Sequence, residues 1–204
     1  MIIKKVPVGV YAANCYIVMD EETGETAVID PGGDSDELFC QIDELGSKIK
    51  YILLTHGHAD HTGAVLDFIN KYNVPLCINK RDWKLMQSGE FMFGDLNPFS
   101  KVLGYIEIAD EDIFKLGKNI IKCIETPGHT PGGMSFLIDE HLFTGDSLFF
   151  GSIGRTDLAG GDFDTLITSI KTKLFPLSSD TIVYPGHGPN SNIDRERKHN
   201  PFLH

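Results

Sequence analysis

The sequence lacks the features that mark several classes of protein. No stretch approaches the roughly 18 consecutive apolar residues of a membrane-spanning helix, and residues 1–7 contain no apolar segment typical of a secretory leader. The four cysteines form no C-x-x-C pair, so the spacing indicates neither a zinc ribbon nor a dithiol redox motif. We therefore expect a cytoplasmic protein with no membrane contact.

Positive charge is also scarce. The chain has 18 Lys and Arg against 29 Asp and Glu, for a formal net charge of -11. Such a balance disfavours a nucleic acid as partner, because a phosphate backbone is bound by clustered cations. It leaves room for a small anionic substrate, since bound metal cations make a local field positive. With 41% hydrophobic residues, no linker and no repeat that can be aligned, we expect one globular domain over residues 1–204.

Short apolar segments and turn residues predict strands that alternate with helices. Val6, Val8 and Val10 alternate as in a strand, and residues 34–37 fit a capping box in which Asp34 starts a helix. A helix is predicted over 80–88. Residues 89–104 are predicted to form an irregular loop, either a substrate-covering flap or a packed surface loop. We expect buried thiols at Cys40, Cys77 and Cys123. Cys15, at a strand entrance, is expected either to pack there or to lie close to the site.

The stretch 55–63 is the most unusual part of the chain. It places three histidines and one aspartate within six residues, directly after the apolar run 51–54; they are His56, His58, Asp60 and His61. Histidine is the commonest metal ligand among side chains, and a carboxylate beside it suits a divalent first-row cation. A surface loop needs no such collection in order to fold. We interpret the stretch as half of a metal site.

Three more potential ligands follow later predicted strands, each directly after a glycine: His129, Asp146 and His187. Loops that follow neighbouring strands can converge at the edge of a sheet, and glycine allows tight turns there. A mononuclear catalytic zinc needs three protein ligands. Seven candidates exceed that need and fit two ions that share a bridging carboxylate. The alternative for any one of them is a buried, hydrogen-bonded polar group. His141, His199 and His204 have no such context and are interpreted as ordinary residues.

The H-x-H-x-D-H pattern at 56–61, with single ligands at 129, 146 and 187, resembles the metallo-β-lactamase superfamily. Asp30, in the segment 28–32, matches a further position of that family. The resemblance covers about residues 12–190 and implies an αββα sandwich, an α/β fold of two mixed sheets flanked by helices. It also implies that His56, His58 and His129 bind one ion. Asp60, His61 and His187 would bind the other, and Asp146 would bridge the two.

Within that superfamily the chain is most similar to glyoxalase II-like hydrolases of the short bacterial form. The similarity lies in residues 151–157, Gly161-Asp162 and the C-terminal stretch 196–202, which contains Asn200-Pro201-Phe202. It implies hydrolysis of a small thioester, such as an S-2-hydroxyacyl glutathione, by a metal-bridging hydroxide that Asp60 orients as the catalytic residue. The implied cofactors are two divalent ions, with zinc as first choice and iron or manganese as alternatives. Longer members have a C-terminal helical domain that contributes to glutathione binding, whereas 17 residues follow His187 here.

Other functions share these ligands. A mono-iron persulfide dioxygenase-like oxidoreductase is the main alternative, and a lactonase, a β-lactamase and a non-enzymatic metal-binding module are further ones. Arg155 is expected either to pair with Asp157 and brace the loop beside Asp146 or to contact substrate or a partner. We expect a monomer or small homo-oligomer whose partner is a small molecule. Specificity is expected to reside in residues 80–104, the Arg155 loop and the C-terminal segment.

Overall fold

The computed structural model describes residues 1–88, 99, 102 and 104–204. In this part of the chain, two six-stranded mixed sheets lie face to face. The first sheet contains β1 Ile2–Val8, β2 Ala13–Met19, β3 Glu25–Ile29, β4 Lys48–Leu53, β5 Leu76–Ile78 and β6 Ile106–Glu107, in that order. The second contains, in spatial order, β14 Ser191–Asn192, β13 Ile182–Pro185, β10 His141–Gly145, β9 Met134–Ile138, β8 Asn119–Glu125 and β7 Ile113–Leu116. A small ribbon pairs β11 Leu148–Phe149 with β12 Ser152–Ile153.

Five helices lie on the outer faces of the sheets, and a four-residue helix lies at the end of the sandwich. They are α1 Ser35–Glu44, α2 Ala59–Thr62, α3 Val65–Tyr72, α4 Lys80–Ser88, α5 Phe163–Ser169 and α6 Ile193–His199, with a π-helical turn Ile170–Leu174 that continues α5. No helix in the described ranges has the length and apolar character needed to cross a bilayer.

Strand register explains why the candidate ligands converge. In the first sheet β3, β4 and β5 are parallel, and Leu53 pairs with both Ile29 and Cys77. These three strands therefore end level with one another. In the second sheet β10 and β13 are parallel, and Gly145 pairs with Pro185. The segments that follow these strands consequently leave the two sheets at the same end of the molecule.

Three apolar layers hold this arrangement together. The middle layer lies between the sheets, where Tyr16, Ile29 and Leu53 of the first sheet belong to one buried cluster with Phe136 and Phe143 of the second. A second cluster joins α1, α3 and α4 to the first sheet, and a third joins α5 and α6 to the second. Burial of apolar surface on both faces of each sheet is the main stabilising contribution. The αββα sandwich expected from the resemblance is confirmed.

Several local predictions are confirmed. The helix predicted over 80–88 is α4, and Trp83 is buried on it. Asp162 caps α5, because its side chain accepts a hydrogen bond from the backbone N–H of Thr165 at 2.7 Å. The thiols of Cys15, Cys77 and Cys123 are buried as expected. The predicted loop over 89–104 lies outside the described residues except at 99, 102 and 104.

Three local predictions are wrong. Asp34 precedes α1 with a left-handed backbone (φ 47°) and makes no side-chain cap; its carboxylate instead accepts the N–H of Gly9 at 2.8 Å. Cys40 is exposed, because it lies about 200° around α1 from the buried Leu38 and from Ile42. Val10 is 95% exposed, since β1 ends at Val8 and the chain turns there.

A glycine at the end of β3 lets two site loops meet. A Cβ built on Gly32 would lie 1.7 Å from the carbonyl oxygen of Asp60. We expect Gly32→Ala to lower the free energy of unfolding by about 1–3 kcal/mol or more, because neither backbone can yield without moving α2. Urea unfolding measures this. Gly104→Ala is the control, since a Cβ there meets no described residue within 4 Å. Equal losses in the two variants would contradict the explanation.

Candidate metal centre

All seven candidate ligands lie at the end of the sandwich where β4, β8, β10 and β13 finish. His56 and His58 lie in the loop after β4, and Asp60 and His61 lie in α2, which follows directly. The other three follow the remaining strands: His129 after β8, Asp146 after β10 and His187 after β13. The structure therefore brings together residues that are up to 131 positions apart in sequence.

The ligands form two groups of three. In the first triad, His56, His58 and His129, one ligand atom from each residue lies within 4.8 Å of the others, and all three residues are buried. In the second triad, Asp60, His61 and His187, the Nε2 atoms of the two histidines are 3.3 Å apart. Nε2 of His187 lies 3.3 Å from Oδ2 of Asp60. The grouping matches the ligand sets that the family resemblance implies.

Asp146 lies between the two triads. Its Oδ2 is 3.5 Å from Nε2 of His129 and 3.7 Å from Nε2 of His187. Its Oδ1 is 3.5 Å from Nε2 of His61. One carboxylate thus reaches ligand atoms of both groups, which is the placement that a bridging ligand requires.

The rings are oriented by contacts to the opposite nitrogen. Nδ1 of His61 lies 3.0 Å from Oδ2 of Asp30, Nδ1 of His129 lies 2.7 Å from the carbonyl oxygen of Arg155, and Nδ1 of His56 lies 3.0 Å from Oγ1 of Thr55. A histidine that donates from Nδ1 to such an acceptor presents a lone pair at Nε2. All three rings therefore direct Nε2 toward the centre.

Asp30 supports the centre from outside it. The carboxylate also accepts hydrogen bonds from the backbone N–H and the hydroxyl of Thr55, at 2.7 and 2.6 Å. A third possible ligand group contains Asp30, His56 and His61. Because both oxygens of Asp30 already accept hydrogen bonds, we assign it the role of orienting His61 and the start of the 55–63 loop.

The two triads differ in electrostatics. Burial lowers the pKa of His56 well below its ordinary value, and burial together with the neighbouring His129 lowers the pKa of His58 to about 3. Burial alone would also lower the pKa of His61, but the carboxylates around it, with Asp146 the strongest, raise it to about 9. Burial would raise the pKa of Asp60, but its contacts with His187 and His61 outweigh this and lower it to about 2. The first triad is therefore a set of neutral bases, whereas the second contains a proton that a cation would displace.

The arrangement fits bound cations. Tetrahedral coordination at about 2.0–2.1 Å places two nitrogens roughly 3.3–3.4 Å apart, which matches the 3.3 Å spacing in the second triad. Nε2 of His56 and Oδ1 of Asp146 are buried and have no hydrogen-bond partner among the described residues. Buried polar atoms without partners are costly unless a ligand satisfies them. The cluster implies divalent metal ions, and its imidazole and carboxylate donors suit zinc, iron and manganese alike.

A cavity of about 700 Å³ opens onto both triads. Five of its described lining residues are ligands: His58, Asp60, His129, Asp146 and His187. Most of the others are apolar: Tyr11, Ala59, Phe149, Ile153, Leu158 and Ala159, together with Ser152 and Arg155. A reacting group can therefore reach the ligands while an apolar segment of the same molecule packs against these apolar residues.

Arg155 forms two hydrogen bonds with the carboxylate of Asp157, from Nε at 2.7 Å and from Nη2 at 2.8 Å. This pairing corresponds to the first of the two alternatives given for Arg155, and the backbone carbonyl oxygen of Arg155 lies 2.7 Å from Nδ1 of His129. The residue also lines the cavity. Contact with substrate stays a prediction.

The C-terminal helix holds one wall of the cavity. Glu196 is fully buried and accepts a hydrogen bond from the backbone N–H of Gly151 at 2.9 Å. The side chain of Asn200 donates to the carbonyl oxygen of Ser152, also at 2.9 Å. These contacts hold the turn between β11 and β12 in place. The residues on either side of that turn, Phe149 and Ser152, line the cavity.

Sequence reasoning missed Asp82, which is fully buried in α4 between two ligand loops. The sequence nevertheless contains a pattern that indicates this residue. Asp82 lies beside Trp83 and four residues before Met86, both of which are buried on α4. A charged residue on the apolar face of a helix is unusual enough to mark a specific contact. The apolar cavity residues were missed because their sequence neighbourhood does not show which cavity they face.

Residues 8–187 match the model of the metallo-β-lactamase superfamily. Among curated proteins, the chain is 38% identical to hydroxyacylglutathione hydrolase GloC of Haemophilus influenzae, over 100% of this chain and 98% of that protein. It is 35% identical to the probable metallo-hydrolase YqgX of Bacillus subtilis, over 98% and 96% of the two chains.

The chain also resembles solved structures over almost its whole length. The BLEG-1 B3 metallo-β-lactamase is 34% identical with a TM-score of 0.84 and 99% coverage of both chains. TTHA1623 in a di-iron-bound form is 31% identical with a TM-score of 0.86, over 98% of this chain and 100% of that one. ETHE1 from Myxococcus xanthus is 28% identical with a TM-score of 0.83, over 98% and 84%.

The different pKa values of the triads predict different proton release on metal binding. At about pH 7.5 the metal-free His61 carries a proton that an ion in the second triad must displace, because its pKa is raised to about 9. Affinity at this triad should therefore rise about tenfold per pH unit between about pH 7 and 8.5. The first triad should change little, since the pKa values of its three histidines are lowered. Calorimetric metal titration of the metal-free protein, in two buffers of different ionisation enthalpy, counts the protons. Equal proton release in both steps would contradict the assignment.

Proposed function

This chain belongs to the metallo-β-lactamase superfamily, and from that membership we propose that it is a metal-dependent hydrolase that cleaves small thioesters, such as S-2-hydroxyacyl glutathione. The observation that carries the proposal is the pair of ligand triads around Asp146, open to one cavity of about 700 Å³. The likeness to a relative named hydroxyacylglutathione hydrolase supports the choice of thioester. The proposed partner is therefore a small molecule, bound in the cytoplasm.

The roles of the side chains follow from their positions. His56, His58 and His129 would hold one ion, Asp60, His61 and His187 the other, and Asp146 both. When bound, such ions supply a water of near-neutral pKa as nucleophile and polarise the substrate carbonyl. Asp60 lines the cavity, and its low pKa keeps it ionised at neutral pH. It can thus accept a hydrogen bond from the attacking water and orient it toward the carbonyl carbon.

The chemistry of the leaving group favours a thioester. A thiolate, with a thiol pKa of roughly 8.5, departs without prior protonation, whereas an amide nitrogen needs a general acid. The part of the cavity wall that the ligands do not form is largely apolar and includes Tyr11, Phe149 and Leu158. Such a wall suits an acyl group or the apolar part of a thiol and supplies little acid catalysis.

A mono-iron persulfide dioxygenase is the second candidate, and the likeness to the ETHE1 structure fits it. The two functions differ in metal content and in oxygen consumption. Metal analysis of protein purified without added metal, run beside an oxygen-uptake assay with glutathione persulfide, distinguishes them. One iron per chain with oxygen uptake would replace the hydrolase proposal.

We expect Asp60→Asn to lower kcat for S-D-lactoylglutathione by about 10²–10⁴-fold, because the water loses the carboxylate that orients it. Thiol release, followed with a disulfide reagent, measures the rate. His199→Ala is the control, since His199 is exposed on α6, and it should keep the wild-type rate. If the protein loaded with zinc, iron or manganese releases no thiol, thioester hydrolysis is the wrong reaction.

The apolar wall predicts a dependence on acyl length. Each added methylene that packs against the wall should raise kcat/KM about fourfold, which corresponds to roughly 0.8 kcal/mol per buried CH₂. Acetyl, butyryl and hexanoyl thioesters of one thiol test this. Leu158→Ser should flatten the series, because Leu158 lines the cavity. Ile113→Ser should not, since Ile113 is exposed on β7 and outside the cavity lining. A flat series in the wild-type enzyme would show that the acyl group does not bind there.

A further inference from the structure

Asp82 joins the two loops that carry the first triad. Its Oδ2 accepts hydrogen bonds from the backbone N–H of Gly57 at 2.9 Å and from the hydroxyl of Thr130 at 2.8 Å. Its Oδ1 accepts one from the backbone N–H of Gly132 at 2.6 Å. Gly57 lies between the ligands His56 and His58, and Thr130 directly follows the ligand His129. One buried carboxylate therefore contacts both loops at positions adjacent to ligands.

Two glycines allow this approach. A Cβ on Gly132 would lie 2.5 Å from Oδ1 of Asp82 and 2.7 Å from its backbone nitrogen. A Cβ on Gly57 would lie 2.7 Å from Cγ of Met86 and 3.2 Å from the carbonyl oxygen of Asp82. Any larger residue would push either loop away from α4. The helix and both loops are thus in close contact at this point, and the carboxylate fixes their relative position.

The chemistry of the contact requires a carboxylate. All three partners of Asp82 are donors, and an ionised carboxylate accepts from several donors at once. Burial raises its pKa to about 6, against the opposing effect of these hydrogen bonds, so it is ionised at about pH 7.5. An asparagine at this position has one acceptor oxygen in place of two. Its NH₂ group is a donor and would face one of the donors that the second carboxylate oxygen now accepts from.

The second triad is held by different contacts. His61 is oriented by Asp30, and His187 lies in the loop after β13. The hydrogen bonds of Asp82 go to the loops of the first triad. We propose that Asp82 is a positioning residue that sets the geometry of the ion site formed by His56, His58 and His129, and leaves the site formed by Asp60, His61 and His187 unchanged. This inference rests on the proposed metal centre and is independent of the substrate.

The test is a zinc titration of the metal-free protein, with calorimetry to resolve the two binding steps. Asp82→Asn should weaken the step assigned to the first triad by about 10–100-fold, which is typical for the loss of a group that orients metal ligands. The other step should stay within about twofold. Two ligand variants identify the steps: His56→Ala should abolish the first-triad step, and His187→Ala should abolish the other. If the protein takes up a single ion, the binding of that ion should be weakened by Asp82→Asn and lost in His56→Ala.

Glu196→Gln is the matched control. Glu196 is also a fully buried carboxylate that accepts a backbone N–H, here from Gly151. It should alter neither binding step by more than about twofold. Equal weakening of both steps in Asp82→Asn, no weakening in either, or the same pattern in Glu196→Gln would overturn the proposal.

A second variant covers the case in which Asp82→Asn does not fold, as judged by the absence of a cooperative unfolding transition. Thr130→Val keeps the shape of the side chain and removes one donor to Asp82. It should weaken the first-triad step by about two- to tenfold, the range expected for one buried hydrogen bond. Unchanged zinc affinity in this variant would overturn the proposal. Two tight ions without thioester turnover would instead overturn the proposed function and leave the role of Asp82 standing.

Discussion

Asp30 connects the ends of two parallel strands through one carboxylate. Its backbone is left-handed (φ 52°), which costs a residue other than glycine about 1–2 kcal/mol. The contacts of the carboxylate with Thr55 and His61 offset that cost. This conformation turns the chain at the end of β3 so that the carboxylate faces the start of the 55–63 loop. The orientation of His56 and His61, and through them both triads, depends on it.

Buried carboxylates perform a similar task elsewhere at this end of the sandwich. Asp30, Asp82 and Glu196 each accept a backbone N–H from a loop of the site: Thr55, Gly57 with Gly132, and Gly151 respectively. A backbone hydrogen bond specifies the position of a loop whatever side chain that loop carries. The rigid sheets bring the loops to one place, and Asp30 and Asp82 then set the ligand loops to within the few tenths of an ångström that metal coordination requires. Glu196 instead fixes the β11–β12 turn, which carries no ligand.

The sequence predicts what depends on local pattern. The ligands His58 and His61 belong to one short motif, and His129 and His187 each follow a predicted strand, so their convergence follows from the way strands end together. Contacts between segments that are distant in sequence cannot be predicted from such local patterns. The side chain of Asp34 binds Gly9 instead of capping its own helix because a neighbouring hairpin turn offers an N–H. The partners of Asp82 and the residues of the cavity wall could not be predicted for the same reason. The position of Asp82 among buried residues marks it on α4, but which loops it contacts depends on the packing of α4, and the cavity wall depends on the packing of the β11–β12 ribbon.

The contacts of α6 with the β11–β12 ribbon are made to main-chain groups. Glu196 and Asn200 bind the backbone of Gly151 and Ser152, while the neighbouring side chains of Phe149 and Ile153 face the cavity. Substitutions at those two positions would thus change the shape of the cavity without loosening its attachment. Six of the seven ligands lie on other segments of the chain, and Asp146 precedes β11. Because different residues shape the cavity and bind the metal, substrate preference can change in evolution while the reaction stays the same. Duplicated copies of one gene could then differ in the substrates they bind and retain the same metal centre.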